Sequence, residues 1–237
     1  MVSRGAMKTT PDLEDETIPA WQRQSMLRSL QSARARARAR SNRFVSAATR
    51  LLQETGNADF TVQDVVDRSR MSIRTFYKYF ASKEDLLVAV YETAVSREAV
   101  PRLRKCIEKQ KDPLLRLREY IAAVMDLTTK TGGGGRTLTG FQNRLAESRP
   151  ADLARAMKPQ LDLLVELIED IASTQPLRAD LTVEMAARLT HYTVLAAAHN
   201  RVLGSEGANA IPAETIWEFC VSGMGFAVRR STPRSRQ

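Results

Sequence analysis

Histidine and cysteine are nearly missing from this 237-residue chain, with two of each. That scarcity removes most of the chemistry by which small proteins hold zinc or run thiol and imidazole catalysis. His191 and His199 stand eight residues apart, and no HExxH, CxxC or Gly-x-Ser-x-Gly spacing occurs. The glycine run at 132–135 lacks the Lys-Ser/Thr of a phosphate loop and is expected to be a flexible connector. Cys106 and Cys220 lie far apart, which fits free buried thiols in a reducing compartment better than a disulfide framework. Neither an enzyme nor a cofactor or metal is expected. No apolar run approaches the ~18 residues of a membrane span, and residues 1–20 lack the apolar centre of a signal peptide, so a cytoplasmic protein is expected.

Proline and glycine are also few, at nine and eleven, and they separate long stretches rich in Ala, Leu, Arg, Glu and Val. That is the composition of an all-α protein, and 43% apolar residues suffice for a sizeable core. Acidic residues are scarce only at the ends of the chain. Residues 1–50 hold ten Lys/Arg against four Asp/Glu, and residues 228–237 hold four arginines and no acid, whereas the body between is close to neutral. The net charge of +9 therefore concerns the termini first.

Periodicity divides the chain into a flexible leader (1–32), a basic arm (33–43), a three-helix domain (44–92), a larger helical domain (93–229) and a basic tail (230–237). Phe44, Val45, Ala48, Leu51 and Leu52 form one helical stripe that stops at Gly56. Thr61 with Asp64 reads as a capping box for a short helix, Ser72 as the cap of a second, and Ser82 with Asp85 as the cap of a longer third. Two short helices joined at Arg70 and Met71 make a helix-turn-helix. With Met71, Phe76 and Phe80 turned inward, the second helix offers Ile73, Arg74, Thr75, Tyr77 and Lys78 outward. Cations, a hydroxyl and a phenol on one face suit phosphates and base edges.

The stretch "TVQDVVDRSRMSIRTFYKYFASKEDLL" resembles the DNA-binding signature of tetracycline-repressor (TetR) type regulators, over residues 43–91. The resemblance implies an N-terminal DNA-binding domain followed by a larger helical ligand-binding and dimerisation domain. It also makes residues 72–80 the recognition helix. Ser72, Ile73 and Arg74 then approach base edges, whereas Thr75, Tyr77, Tyr79, Thr61 and Lys83 meet the DNA backbone, and Lys78 does either. The family commonly has a small residue where Arg74 stands, so Arg74 is either a guanine reader or a phosphate clamp.

Such a short reading head implies a homodimer on double-stranded DNA with two half-sites. The last two helices are the expected dimer surface, through Leu189, Thr193, Val194 and Ala197, then Ile216, Phe219, Cys220, Gly223 and Phe226. The helices between are expected to enclose a small-molecule effector. Met125, Phe141, Met157, Leu161 and Tyr192 would line its pocket, with Arg144, Glu147, His191 or His199 as polar handles. Repression relieved by that effector from a palindromic operator is the expected logic. Activation, ligand-independent control, or a helical protein that grips polyanions without specificity are the alternatives.

"ARARARARSNRF", residues 33–44, precedes the first helix of the DNA-binding domain. It has no apolar stripe, and repulsion opposes its good helix propensity, so a frayed helix or coil is expected. Arg34, Arg36, Arg38 and Arg40 are then expected to follow the DNA backbone or enter the minor groove.

Overall fold

The computed structural model describes residues 18–130, 133–204 and 210–227, and every regular element among them is helical. Two compact units divide between Arg43 and Phe44. Among the described residues no helix is long and apolar enough to cross a membrane.

The first unit takes in the N-terminal part of α1 (Ala20–Thr55). Where the sequence predicts a loose leader to residue 32 and a frayed arm over 33–43, the chain is helical from Ala20 onward. Alanine and arginine rank among the strongest helix formers, and repulsion between solvated arginines costs only a few tenths of a kcal/mol per pair, roughly, so propensity wins. The basic tail at 230–237 lies outside the described residues.

The second unit opens with the end of α1, whose Phe44, Val45, Ala48, Leu51 and Leu52 are buried. α2 (Val62–Ser69), α3 (Ile73–Tyr79) and α4 (Lys83–Thr93) follow, each started by the cap its sequence announces. Thr61 and Asp64 close a reciprocal capping box, Ser72 accepts from the Thr75 N–H, and Ser82 accepts from the Asp85 N–H. Each cap satisfies an N–H that a helix start would otherwise leave unpaired. The module is centred on an aromatic knot, with Phe76 at 5.5 Å from Phe44 edge-on and 5.6 Å from Phe80.

α4 does not stop near Arg97 as its pattern suggests. It passes through a π-helical turn (Ala94–Ala99) into α5 (Val100–Ile107). Pro101, in the first turn of α5, has no N–H for the carbonyl four residues back, and the Val100 N–H reaches instead to the Val95 carbonyl.

α6 (Pro113–Lys130), α7 (Gly133–Ser148), α8 (Pro150–Ala172), α9 (Val183–Leu203) and α10 (Ala213–Gly223) complete the fold. α6 packs on α5, α8, α9 and α10, while α8 packs on α4, α6, α7 and α9. Their shared core includes Leu117, Tyr120 and Ile121 of α6 with Leu163, Leu164, Leu167 and Ile168 of α8. Two expectations are corrected here. The glycines from 133 onward begin α7 rather than a connector, because Phe141 and Leu145 bury the other end of that helix and packing overrides weak local propensity. α10 ends at Gly223, short of the 229 at which the helical domain is expected to end, and Gly225 then turns the chain at φ +85° so that the Arg178 N–H meets the Met224 carbonyl. Pro159 lies inside α8 and does not bound it.

Candidate nucleic-acid interface

The turn between α2 and α3 is made by Arg70 in the left-handed conformation, φ 54° and ψ 43°. Its N–H caps α2 by donating to the Val66 and Asp67 carbonyls, and the Met71 N–H also reaches Val66. An L-residue held there stores about 1–2 kcal/mol, and β-branched side chains store the most. Arg70→Val is therefore expected to lower stability by about 1–2 kcal/mol, whereas Arg70→Gly should not. Thermal melting of the two variants checks this.

Behind that turn, Phe76 and Phe80 anchor α3, and the opposite face of the helix is left to solvent. Ser72, Ile73, Arg74, Tyr77 and Lys78 are exposed, and Thr75 and Tyr79 are half-buried. Ile73 and Tyr77 keep 47% and 56% of their surface, so an aliphatic and a phenol stand beside two cations with no protein surface over them. The hydroxyls of Ser72 and Thr75 lie 2.8 Å apart and satisfy one another at the start of α3.

Thr61 is exposed at the start of α2. Its hydroxyl donates to the Asp64 carboxylate at 2.8 Å, beside the Thr61 N–H at 2.7 Å. These two bonds hold the Asp64 carboxyl below its usual range, with a smaller contribution from Lys83. These bonds make Thr61 the cap of α2. Lys83 rests its ammonium 5.1 Å from the centre of the Phe60 ring, a cation–π contact at the start of α4. Arg34, Arg36, Arg38 and Arg40 are all exposed and belong to the first unit.

α4 is tied to α8 by a charged ladder that sequence reasoning missed. Arg149, just before α8, donates to Asp85 at 2.6 Å and to Asp152 at 2.5 Å. Arg155 of α8 pairs with Asp152 at 2.7 Å and with Glu92 of α4 at 2.9 Å. Asp85 also accepts from the Ala81 N–H. Beneath the ladder the buried Tyr91 hydroxyl donates to the Met157 sulfur at 3.0 Å. The partners across α4 and α8 lie more than sixty positions apart in sequence, which is why no local pattern announces them.

Of the expected effector residues, Met125, Phe141, Met157 and His191 are buried and Leu161 is half-buried. Burial disfavours the charged form of His191 and lowers its pKa. Arg144 is exposed, and Tyr192 keeps 56% of its surface on the outside of α9, so neither faces an interior ligand. Among the described residues His199 Nε2 is buried without a hydrogen bond, and the buried Tyr120 hydroxyl has Gln160 beside it.

The expected dimer surface also divides. Val194, Ala197, Ile216, Cys220 and Phe226 are buried in this chain's own core and offer little surface to a second chain, and burial pushes the Cys220 thiol up to about 11. Thr193 is half-buried, and its hydroxyl donates to the Leu189 carbonyl. Leu189 and Phe219 keep 55% and 68% of their surface, and Gly223 is exposed. Met185 and Tyr192 extend the exposed α9 stripe at helical spacing.

Residues 44–90 match the family described as bacterial regulatory proteins, tetR family. No curated protein matches the chain. Among solved structures, RolR in complex with resorcinol has a TM-score of 0.64 at 18% identity, over 81% of this chain and 90% of that one. Thermus thermophilus FadR, described as a TetR-family transcriptional repressor in complex with lauroyl-CoA, has a TM-score of 0.62 at 19% identity, over 83% of this chain and 100% of that one. Bacillus subtilis FadR in complex with stearoyl-CoA has a TM-score of 0.61 at 18% identity, over 76% and 97%. At these identities the likeness is one of fold.

Proposed function

Because residues 44–90 make this chain a member of the tetR family of transcriptional regulators, we propose that it is a cytoplasmic, non-enzymatic repressor. It binds a palindromic operator as a homodimer and leaves it when a small molecule occupies the larger helical domain. The observation that carries this reading is the outer face of α3, where Arg74, Tyr77 and Lys78 stand exposed on a helix anchored by the buried Phe76. Selection of binding sites from random duplex DNA tests it. The expected result is one inverted repeat with half-sites about 34–36 Å apart. Equal binding to every polyanion would support a non-specific interaction protein instead.

Arg74 is assigned to a base edge, where a guanidinium can bond guanine O6 and N7 together. Arg74→Ala is expected to relax selectivity at one base pair per half-site, by about 1–3 kcal/mol. Uniform weakening across all operator variants would make it a phosphate contact.

The effector site is assigned to the core between α6 and α8, around the Tyr120 hydroxyl and Gln160. Both are buried polar groups in an otherwise apolar core, and such groups give a ligand its orientation. RolR and the two FadR proteins have chemically unlike ligands, so the fold leaves the ligand class of this chain open. The effector must bind better to the arrangement whose recognition helices no longer match the operator, since equal affinity for both states shifts nothing. Displacement of α8 would pull on Asp85 and Glu92 of α4 through Arg149 and Arg155, the path by which occupancy reaches α3.

A further inference from the structure

The alternation of alanine and arginine over residues 33–40 takes on a different meaning once the segment is helical. At about 100° per residue, two positions advance a side chain by about 200°. Successive arginines therefore fall on opposite sides of α1. Arg34 and Arg38 lie about 40° apart on one side, and Arg36 and Arg40 lie about 40° apart on nearly the opposite side. Ala35 and Ala39 occupy one of the two faces between these stripes, and Ala33 and Ala37 occupy the other. No acidic residue occurs between Glu16 and Glu54, so nothing on this stretch of chain neutralises the stripes. All four arginines are exposed, and the Arg36 guanidinium donates to the Ser32 hydroxyl at 3.4 Å.

Two opposed cationic walls with a thin alanine floor are complementary to two phosphate strands with a groove between them. A helix with its side chains is about 10–12 Å across. The minor groove of B-DNA is about 6 Å wide and the major groove about 12 Å, so residues 33–40 as a helix match the major groove. We infer that residues 33–40 form a second DNA-binding element, a helix that lies in a major groove and grips the phosphates of both strands. It places Arg34 and Arg38 on one strand and Arg36 and Arg40 on the other. Alanines let the helix sit close to the base edges and can touch thymine methyls, so the element adds affinity and little sequence selectivity. This inference rests on the regulator reading above and extends its contact surface beyond α3.

Full-length protein with Arg34→Ala/Arg38→Ala, with Arg36→Ala/Arg40→Ala, and with Ala37→Pro tests it, by fluorescence anisotropy on the selected operator across salt concentrations. Each arginine pair is expected to flatten the log-affinity against log-salt slope by about two per subunit. Ala37→Pro keeps every charge but breaks the helix, and should flatten the slope by a similar amount. An unchanged slope for Ala37→Pro would mean an extended arm and overturn the inference, as would an effect confined to one arginine pair. Duplex RNA has a major groove too deep and narrow for a helix. Equal contributions from these arginines on duplex RNA would therefore also overturn it. All three variants should still select the wild-type operator, and melt as wild type does, because the substitutions lie before the unit that begins at Phe44. If the wild-type chain selects no operator, the regulator reading itself fails. An operator selected with slopes unchanged in every variant removes the basic helix alone.

Discussion

Phe76→Ala is expected to cost about 3–5 kcal/mol and to abolish operator binding with it. Phe76 is completely buried and is the residue through which α3 meets α1. Its ring stands edge-on to Phe44 at 5.5 Å and is tilted against Phe80 at 5.6 Å, and Tyr77 crosses it at 5.3 Å. Truncation removes the transfer energy of a large side chain, leaves a cavity, and forfeits the aromatic pairs, each worth a further ~0.5–1.5 kcal/mol. A helix of seven residues has no stability of its own in water. Once its anchor is gone, Arg74, Tyr77 and Lys78 lose the frame that aims them. Tyr77→Ala is the matching control. With 56% of its surface free, Tyr77 should leave the melting transition within about 0.5 kcal/mol of wild type while still weakening DNA binding. Chemical denaturation and operator titration of the two variants separate the roles. A Phe76→Ala protein that stays within 1 kcal/mol or so of wild type would mean that the module is not held at this point.

The parts of this protein that were legible in its sequence are those set by neighbours three or four residues apart. Thr61 with Asp64, Ser72 with Thr75 and Ser82 with Asp85 form the caps their spacing announces, and so the three helices of the DNA-binding module start where expected. Inward Phe76 and outward Arg74 follow from the same short-range periodicity. The arginine segment was harder, because helix prediction leans on an apolar stripe and this segment has none. Its order comes from alanine and arginine propensity alone. The π-helical turn before Val100 was hidden for another reason: Pro101 suggested an interruption, but not that the rod would absorb it and run on to Ile107. In the ladder from Asp85 through Arg149, Asp152 and Arg155 to Glu92, the two links to α4 join residues that only the tertiary fold brings together.

α9 shows how a helix that is apolar all round conceals its outer face. Both sides carry apolar residues, so periodicity does not say which side meets the core. Close packing decides it. Ala186, Ala187, Val194, Ala197 and Ala198 turn inward, where small side chains let helices approach, and the bulkier Met185, Leu189 and Tyr192 remain outside. The sequence reading took Val194 and Ala197 as outward and Tyr192 as a ligand contact. Val194 and Ala197 are buried in the chain's own core, and Tyr192 is exposed.

Leu189→Asp together with Phe219→Asp is expected to convert the protein to a monomer and to lower operator affinity by about a thousandfold or more, toward the non-specific range. Met185, Leu189 and Tyr192 form an exposed stripe along α9, and Phe219 of α10 is 68% exposed. α9 and α10 pack on each other and both rest on α6, so the stripe and Phe219 are carried by one supported layer. Apolar surface of this kind on paired helices is what a partner helix pair would cover, and a second copy brings the same residues to meet it. A carboxylate placed at the centre of such a contact is buried without a cation, which outweighs the apolar area gained elsewhere. The same two positions are solvent-facing within one chain, so the monomer should keep its helix content and its melting transition apart from the part owed to association. Light scattering gives the mass and anisotropy on the operator gives the affinity. A double variant that remains dimeric would move the interface off α9 and α10. One that becomes monomeric but binds the full operator undiminished would mean that the two reading heads act without being joined.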